Sequence, residues 1–146
     1  MLRHYHPFTH DVIDKYEASP GVINADVVDF RPERRYDLIV SVSTLEHVGF
    51  DERPPEPEKI LRALAHLREH CLAPGGELVF SYPAGYNATL DAAVASTALP
   101  WKRRSCLRRV SRDNRWEECG WEATRGARYH HPFYFANVLA VAELGR

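Results

Sequence analysis

Residues 36–49 read YDLIVSVSTLEHVG, and this stretch decides the fold class. Residues 36–43 contain an unbroken apolar centre, Leu38–Val40, which is typical of a strand that is covered on both faces. The ionisable residues Glu46 and His47 follow where such a strand would end. We therefore predict a buried central strand in a three-layer α/β fold, with chemistry at the carboxyl end of that strand.

Strand-like and helix-like segments alternate on both sides of this stretch, which is typical of an α/β fold with a mostly parallel sheet. The patterns predict strands at 11–14, 22–28 and 77–82, and helices at 57–71 and 87–99. The basic segment that follows is compatible with a helix or a strand, but the Asp113-Asn114 turn favours a strand. Residues 135–144 are predicted to form a last strand, antiparallel to the basic one.

The composition indicates one globular domain over residues 1–146. The chain is 45% hydrophobic and 27% charged, and its apolar runs are far shorter than a membrane span requires. The three cysteines, Cys71, Cys106 and Cys119, lack close spacing, which favours free thiols in a reducing compartment. We expect a cytoplasmic protein that does not contact a membrane.

Charge is distributed unevenly along the chain. Residues 1–100 carry a net charge of −6, whereas residues 101–146 carry +5. A basic segment of this kind can contact nucleic acid, an anionic membrane or an anionic substrate. We favour a solvated face that balances the acidic part of the same domain, and we expect a small-molecule substrate rather than nucleic acid.

The order of several segments resembles a class I S-adenosylmethionine-dependent methyltransferase. The resemblance rests on a strand that ends at Asp14, on Asp26 in an Ala-Asp-Val context, on residues 36–49, and on the sequence LAPGGELVF at 72–80. It covers residues 11–90 well. It implies a Rossmann-like doubly wound sheet and methyl transfer from S-adenosylmethionine to an oxygen or nitrogen atom of a small polar acceptor.

The resemblance also implies roles for individual residues. Asp14 or Glu17 would accept the ribose hydroxyls, and Asp26 with the Val27 backbone would face the adenine. Ser43 and Thr44 would line the wall near the methionine moiety, while Glu46 and His47 would stand at the substrate mouth. His47 is the candidate base, because the intrinsic pKa of histidine lies near neutrality.

The chain departs from the family at the first strand. The glycine-rich loop that follows this strand in the family is absent, and the first glycine here is Gly21. Three explanations fit this departure: the chain is a fragment, its start was assigned too far along the sequence, or the protein has lost this loop. Segments 11–14 and 36–43 would then flank a gap or pair directly. We expect this N-terminally incomplete, truncated domain to bind S-adenosylmethionine poorly or not at all, and the sequence leaves open whether the chain alone is an active or an inactive methyltransferase.

The sequence also suggests two other classes of function, a metal-binding protein and an assembly module. The histidines His4, His6 and His10, with the pair His130-His131, invite a metal site, but no familiar ligand spacing completes one and we predict no metal. A non-catalytic binding or assembly module is the stronger alternative. Strand edges left exposed by a missing strand would favour pairing with a second chain, including homo-oligomers.

Overall fold

The computed structural model describes residues 10–146, which form a small parallel sheet and a larger mixed sheet. The small sheet pairs β1 (Val12–Asp14) with β2 (Val22–Asn24) in parallel. The strand predicted at 22–28 is therefore shorter than expected. It ends where Asp26 begins a turn that is closed by hydrogen bonds from the Asp29 and Phe30 amides.

The larger sheet has five strands in the order β3-β4-β7-β5-β6. They are β3 (Tyr36–Val42), β4 (Leu72–Pro83), β5 (Trp101–Arg109), β6 (Trp116–Cys119) and β7 (Val138–Gly145). β3 and β4 are parallel, whereas the three remaining pairs are antiparallel. The predicted α/β class, the Rossmann-like arrangement and the antiparallel last strand are confirmed.

Two helices pack on one face of the larger sheet. α1 (Lys59–His66) continues into a π-helical turn at Leu67–Cys71 and ends directly before β4. α2 (Ala88–Ala95) is capped by Asn87, whose side-chain oxygen accepts a hydrogen bond from the Leu90 amide at 3.1 Å. The apolar faces of both helices join the β4 residues Leu78, Phe80 and Tyr82 and the β7 residues Ala140, Ala142 and Leu144 in one buried core.

The prediction that the 36–43 strand lies at the centre of the sheet, covered on both faces, is wrong. β3 is an edge strand of the larger sheet in the described chain. Ile39 packs against the core, but Leu38, Val40 and Val42 point to the other face and are 56%, 45% and 69% exposed. The apolar run indicated burial correctly on one face only, because no described helix covers the other.

β1 and β3 do not pair with each other in the described chain, so of the two alternatives a gap separates them. They are linked at their starting ends, where the Tyr36 hydroxyl donates a hydrogen bond to Asp11 at 2.6 Å. A group of ion pairs joins the two sheets at their other ends, as described below. The small sheet is therefore tied to the larger one through side chains rather than through a ladder of backbone hydrogen bonds.

The remaining predictions concern the last third of the chain. The basic segment is the strand β5, and a turn containing Asn114, which has a positive φ of 65°, leads into β6 as expected. All three cysteines are free thiols. Within residues 10–146, no helix has the length and apolar character needed to cross a bilayer.

Candidate active site

The turn after β3 sends two neighbouring ionisable side chains in opposite directions. Ser43 adopts a positive φ of 47°, and residues Leu45–His47 form a single 3-10 turn. This turn buries Glu46, which is 1% exposed, while the His47 side chain remains half exposed. The predicted pair therefore divides into one buried carboxyl group and one accessible imidazole.

His47 is held by a carboxylate on the next loop. Its Nδ1 contacts Asp51 Oδ2, and the Tyr86 hydroxyl donates to the same oxygen at 2.7 Å. Burial would raise the pKa of Asp51, but the hydrogen bonds from His47 and Tyr86 hold it below its usual value. Because an ionised carboxylate only accepts hydrogen bonds, Nδ1 carries the proton and Nε2 is left as the basic nitrogen.

Aromatic rings surround this histidine. The Tyr86 ring lies 5.3 Å from the His47 ring, 5.2 Å from that of Phe50 and 4.8 Å from that of Tyr129, centroid to centroid. Tyr86 follows β4, whereas Tyr129 belongs to the long segment between β6 and β7. Loops from three parts of the chain thus meet at the carboxyl ends of β3 and β4, where parallel sheets bind their ligands.

Glu46 is the buried member of the site. Burial raises the pKa of its carboxyl group, and within residues 10–146 nothing donates a hydrogen bond to its Oε2. Oε1 lies 3.8 Å from Nε2 of His47. The Asn87 amide donates to the Glu46 carbonyl oxygen at 2.9 Å, so the residue that caps α2 also fixes this turn. Glu46 is thus placed to act as a neutral acid or as a hydrogen-bond donor beside His47.

The predicted cofactor residues lie together at the end of the small sheet. The Asp14 Oδ1 accepts hydrogen bonds from the Tyr16 and Glu17 amides, both at 2.8 Å, which lowers the pKa of Asp14. The Asn24 side chain donates to the carbonyl oxygens of Asp14, Lys15 and Glu17. These contacts fix the loop that carries Asp14 and Glu17 against β2.

Asp26 lies within a group of four alternating charges that we call the ion-pair cluster: Lys15, Asp26, Glu52 and Lys59. Each lysine lies within 3.0 Å of both carboxylates. Although desolvation opposes it, hydrogen bonding to Lys59 and Lys15 lowers the pKa of Asp26 to about 2. Lys59 is only 5% exposed, so this cluster ties the small sheet to the start of α1.

The predicted residues therefore form two groups rather than one. Asp14, Glu17, Asp26 and Val27 lie at the small sheet, whereas Glu46 and His47 lie with the aromatic rings. Ser43 and Thr44 stand at the end of β3, where the Thr44 hydroxyl donates to the Val42 carbonyl oxygen at 3.1 Å. None of the described contacts joins Asp14 or Asp26 directly to His47.

Several residues at the site were not predicted from the sequence. Asp51 lies four residues after His47, a spacing that could have indicated the pair. Tyr86 follows the strand predicted at 77–82, but its position in the sequence does not indicate that it meets His47. The partners of Asp26 had no local signal, because Lys15 and Lys59 are 11 and 33 residues away.

Among residues 10–146, no group of three or more His, Cys, Asp and Glu side chains can hold a metal, while His4 and His6 lie outside the described residues.

Comparison with known proteins decides the family. A family model described as a methyltransferase domain matches residues 1–141. This chain belongs to the methyltransferase domain family. The predicted resemblance is confirmed, and the match extends beyond residues 11–90 at both ends. A search of the curated proteins finds no match to this methyltransferase domain.

Two solved structures show the same fold. Both are the N-methyltransferase NodS from Bradyrhizobium japonicum WM9, one in complex with S-adenosyl-L-homocysteine, each with a TM-score of 0.51 and 17% identity. The matches cover 86% of this methyltransferase domain and 54% and 58% of the NodS chains. A DhpI-SAM-HEP complex matches with a TM-score of 0.38 and 18% identity, over 84% of this chain and 56% of its own. The chain therefore spans little more than half the length of these structures.

Proposed function

We propose that this methyltransferase domain transfers the methyl group of S-adenosylmethionine to an oxygen or nitrogen atom of a small polar acceptor. The observation that carries the proposal is the histidine at the carboxyl edge of the sheet, whose Nδ1 contacts Asp51 and whose side chain is half exposed. Membership of the methyltransferase domain family supports it. Within this function, His47 Nε2 takes the proton that the acceptor loses.

The candidate cofactor residues fit S-adenosylmethionine unequally. Asp14 uses Oδ1 for its own turn, and its Oδ2 has no hydrogen-bond donor among the described residues, so it suits the ribose hydroxyls. Asp26 already uses both oxygens, one for two lysines and one for the Val28 amide at 3.3 Å. An adenine contact by Asp26 would therefore fall to its Oδ1, which accepts only the Val28 amide and keeps a free lone pair, with the Val27 backbone next to it in the chain.

When bound, the cofactor would supply an electrophilic methyl group. The residues of the chain would then position the acceptor and manage its proton. The Tyr86 and Phe50 rings provide an apolar wall beside His47, which excludes water from one side of the imidazole. Ser43 and Thr44, at the end of β3, would border the methionine moiety. Glu46, whose pKa is raised by burial, would orient the acceptor by donating a hydrogen bond from its protonated carboxyl group.

The gap between β1 and β3 bears on cofactor affinity. In a doubly wound sheet, backbone amides near a central strand contact the ligand, and the described residues provide no strand between β1 and β3. We expect the 146-residue chain alone to bind S-adenosylmethionine with a dissociation constant of about 1 mM or weaker. Isothermal titration measures this, and a low-micromolar value would show that the described cleft is sufficient.

Methyl transfer is tested with labelled S-adenosylmethionine and a panel of small alcohols and amines. Replacing His47 with alanine should lower turnover by about 10²–10⁴-fold, as expected for a lost general base, and should leave cofactor affinity unchanged. His70→Ala is the matched control, because His70 is exposed and lies beyond α1. Equal turnover in the wild type and in His47→Ala would remove His47 as the base.

A second candidate function, a non-catalytic assembly module, is favoured by the exposed side of β3. Its outer edge is unpaired among the described residues, and Asp37 is its only charged residue, so the edge lacks the usual protection against strand pairing. The occupant in this case is a second copy of the chain. Light scattering should then show a dimer that Val40→Lys converts to a monomer, and a monomeric wild type would exclude this function.

A further inference from the structure

A cavity lined by basic residues lies near the candidate active site. It has a volume of about 400 Å³ and opens between the end of β5, the start of β7 and residues 123–132. This volume falls in the range of small-molecule sites, roughly 300–1,000 Å³. Its lining includes five basic residues, Arg108, Arg109, Arg125, Arg128 and His131, and no Asp or Glu from the described part of the chain. We call it the basic cavity.

Three of these arginines have no partner to neutralise them. Among residues 10–146, the side chains of Arg108, Arg125 and Arg128 make no hydrogen bond and no ion pair, and all three are exposed. Among residues 10–146, Arg62 is the one arginine that forms an ion pair, with Glu56 at 2.6 Å, so the basic cavity is distinguished by three unpaired arginines that line the same cavity. The basic cavity therefore concentrates positive charge that the fold itself does not use.

Arg109 and Asn137 hold the walls of the cavity in place. The Arg109 guanidinium donates to the carbonyl oxygens of Ser111, Arg112 and Tyr134 and lies 5.2 Å from the centre of the Phe133 ring. Asn137 is 5% exposed, and its amide donates to the carbonyl oxygens of Arg128, Phe133 and Phe135. These contacts fix the segment that carries Arg128 and His131, so the free arginines extend from a defined backbone.

The basic cavity and the candidate active site are connected through one segment of the chain, residues 127–129. Tyr129, whose ring packs edge-on against Tyr86, follows Arg128 directly in the chain. Gly85, the residue before Tyr86, packs so tightly against this segment that a methyl group there would lie 3.0 Å from the Arg128 Cα. Arg128 is thus the chain neighbour of Tyr129, whose ring contacts the Tyr86 ring that packs against His47.

The geometry points to a phosphate group, carried by a small molecule, as the ligand of the basic cavity. A phosphate monoester carries between one and two negative charges at neutral pH, which compensate a large part of the charge of the three unpaired guanidinium groups. Arginine binds phosphate through two parallel N–H···O hydrogen bonds, a geometry that lysine cannot reproduce. A single carboxylate would leave more of this positive charge uncompensated.

Isothermal titration of the full chain with inorganic phosphate and with glycerol 3-phosphate tests the site at constant ionic strength. We expect a dissociation constant of about 1 mM or tighter for both, since two or three charge-assisted hydrogen bonds drive binding. The double variant Arg125→Ala/Arg128→Ala should weaken binding at least tenfold. Arg125→Lys, which keeps the charge, should still weaken it measurably because the paired hydrogen bonds are lost.

The control is the double variant Arg103→Ala/Arg112→Ala, which changes the net charge equally and lies outside the cavity lining. It should change affinity less than threefold. An equal loss in both double variants would show diffuse attraction and overturn the proposal. The proposal would also be overturned if phosphate did not bind at a concentration 20-fold above the expected dissociation constant. Much tighter binding of a single-stranded oligonucleotide than of phosphate would overturn it as well. Thermal unfolding verifies that every variant folds. If Arg125→Ala/Arg128→Ala does not fold, the single variant Arg125→Ala takes its place.

The same titrations assign the source of the phosphate. If the phosphate belongs to the methyl acceptor, Tyr86→Phe should weaken glycerol 3-phosphate binding but leave inorganic phosphate unaffected. If it belongs to a separate ligand, Tyr86→Phe should affect neither. Only the first assignment rests on the proposed function. Because no titration contains S-adenosylmethionine, a failure of methyl transfer and a failure of the phosphate site are distinguishable.

Discussion

Asp51 and Glu52 are consecutive residues whose carboxylates serve two different groups of side chains. Asp51 contacts His47 and Tyr86, whereas Glu52 lies 2.7 Å from Lys59 and 3.0 Å from Lys15 in the ion-pair cluster. The loop after the 3-10 turn therefore connects the candidate base to the small sheet that carries the candidate cofactor residues. A displacement of this loop would change both groups together.

The first prediction concerns the tautomer of His47. In the wild type above neutral pH, the ring should carry its proton on Nδ1, because Asp51 accepts there. Asp51→Asn should produce a mixture of tautomers, since an amide can donate or accept at the same position. Nitrogen-15 NMR of the labelled ring distinguishes the two cases. Tyr86→Phe, which leaves the carboxylate in place, should retain the Nδ1 tautomer, and an unchanged spectrum in Asp51→Asn would contradict the assignment.

The second prediction concerns the stability contributed by Asp26. Because its pKa falls from 3.8 to about 2 on folding, its ionised form stabilises the protein above pH 4. Asp26→Asn should lower the free energy of unfolding at pH 7 by roughly 1–2 kcal/mol. The difference should shrink as the pH falls from about 4 to 2, where the wild-type carboxylate also becomes protonated.

Urea denaturation at a series of pH values measures this difference. Asp29→Asn is the control, because Asp29 is three residues away and makes no side-chain ion pair with the described residues. A pH-independent loss in Asp26→Asn would show that packing, rather than the ion-pair cluster, accounts for the effect.

The third prediction concerns Glu46, whose pKa shifts in the opposite direction. Since burial raises the pKa of this carboxyl group above 4.5, the folded protein holds a proton that the unfolded chain releases. The wild type should therefore lose stability as the pH rises above about 4.5. Glu46→Gln, which keeps the shape without the charge, should be more stable than the wild type at pH 8 and equal to it near pH 4. A variant that is less stable at both pH values would contradict the buried, neutral state.

The fourth prediction compares two glycines with similar backbone conformations. Gly85 and Gly126 have positive φ angles of 84° and 74°, but only Gly85 is closely packed, with the Ala127 carbonyl carbon 2.6 Å from the position of a Cβ atom. Gly126→Ala should cost about 1 kcal/mol of stability from backbone strain alone. Gly85→Ala should cost at least about 2 kcal/mol, since the strain and the clash add. Equal losses, measured by thermal unfolding, would show that the segment at 127–128 moves aside freely.

Local patterns predicted most of the secondary structure. Short apolar runs located β3, β4 and β7, and the Asp113-Asn114 turn favoured the strand β5, because both signals depend on neighbouring residues. The exposure of Val40 was not predictable, because an apolar strand has the same sequence whether or not a helix covers it. The start of β4 at Leu72 was also missed, since Pro74 and Gly75 indicate a break that the strand passes through.

The candidate site was predictable only in part. Glu46 and His47 follow the end of a predicted strand, and in open α/β sheets ligands bind at that position. Asp51 had a local signal in its spacing of four residues from His47, whereas Tyr86 became recognisable only when the loops after β3 and β4 met in space. The engagement of Asp26 by Lys15 and Lys59 could not be predicted, because ion pairing across such sequence separations depends on tertiary structure.

The position of β7 has a consequence for how the protein is made. β7 is the last strand in the sequence, yet it lies between β4 and β5 and pairs with both. During synthesis, β3 and β4 can pair early and the β5–β6 hairpin can form separately, but the two halves stay apart until residues 138–145 have left the ribosome. Such late, long-range closure slows folding and exposes strand edges while translation continues. A stop codon before residue 138 would therefore release a chain in which no strand joins the β3–β4 pair to the β5–β6 hairpin.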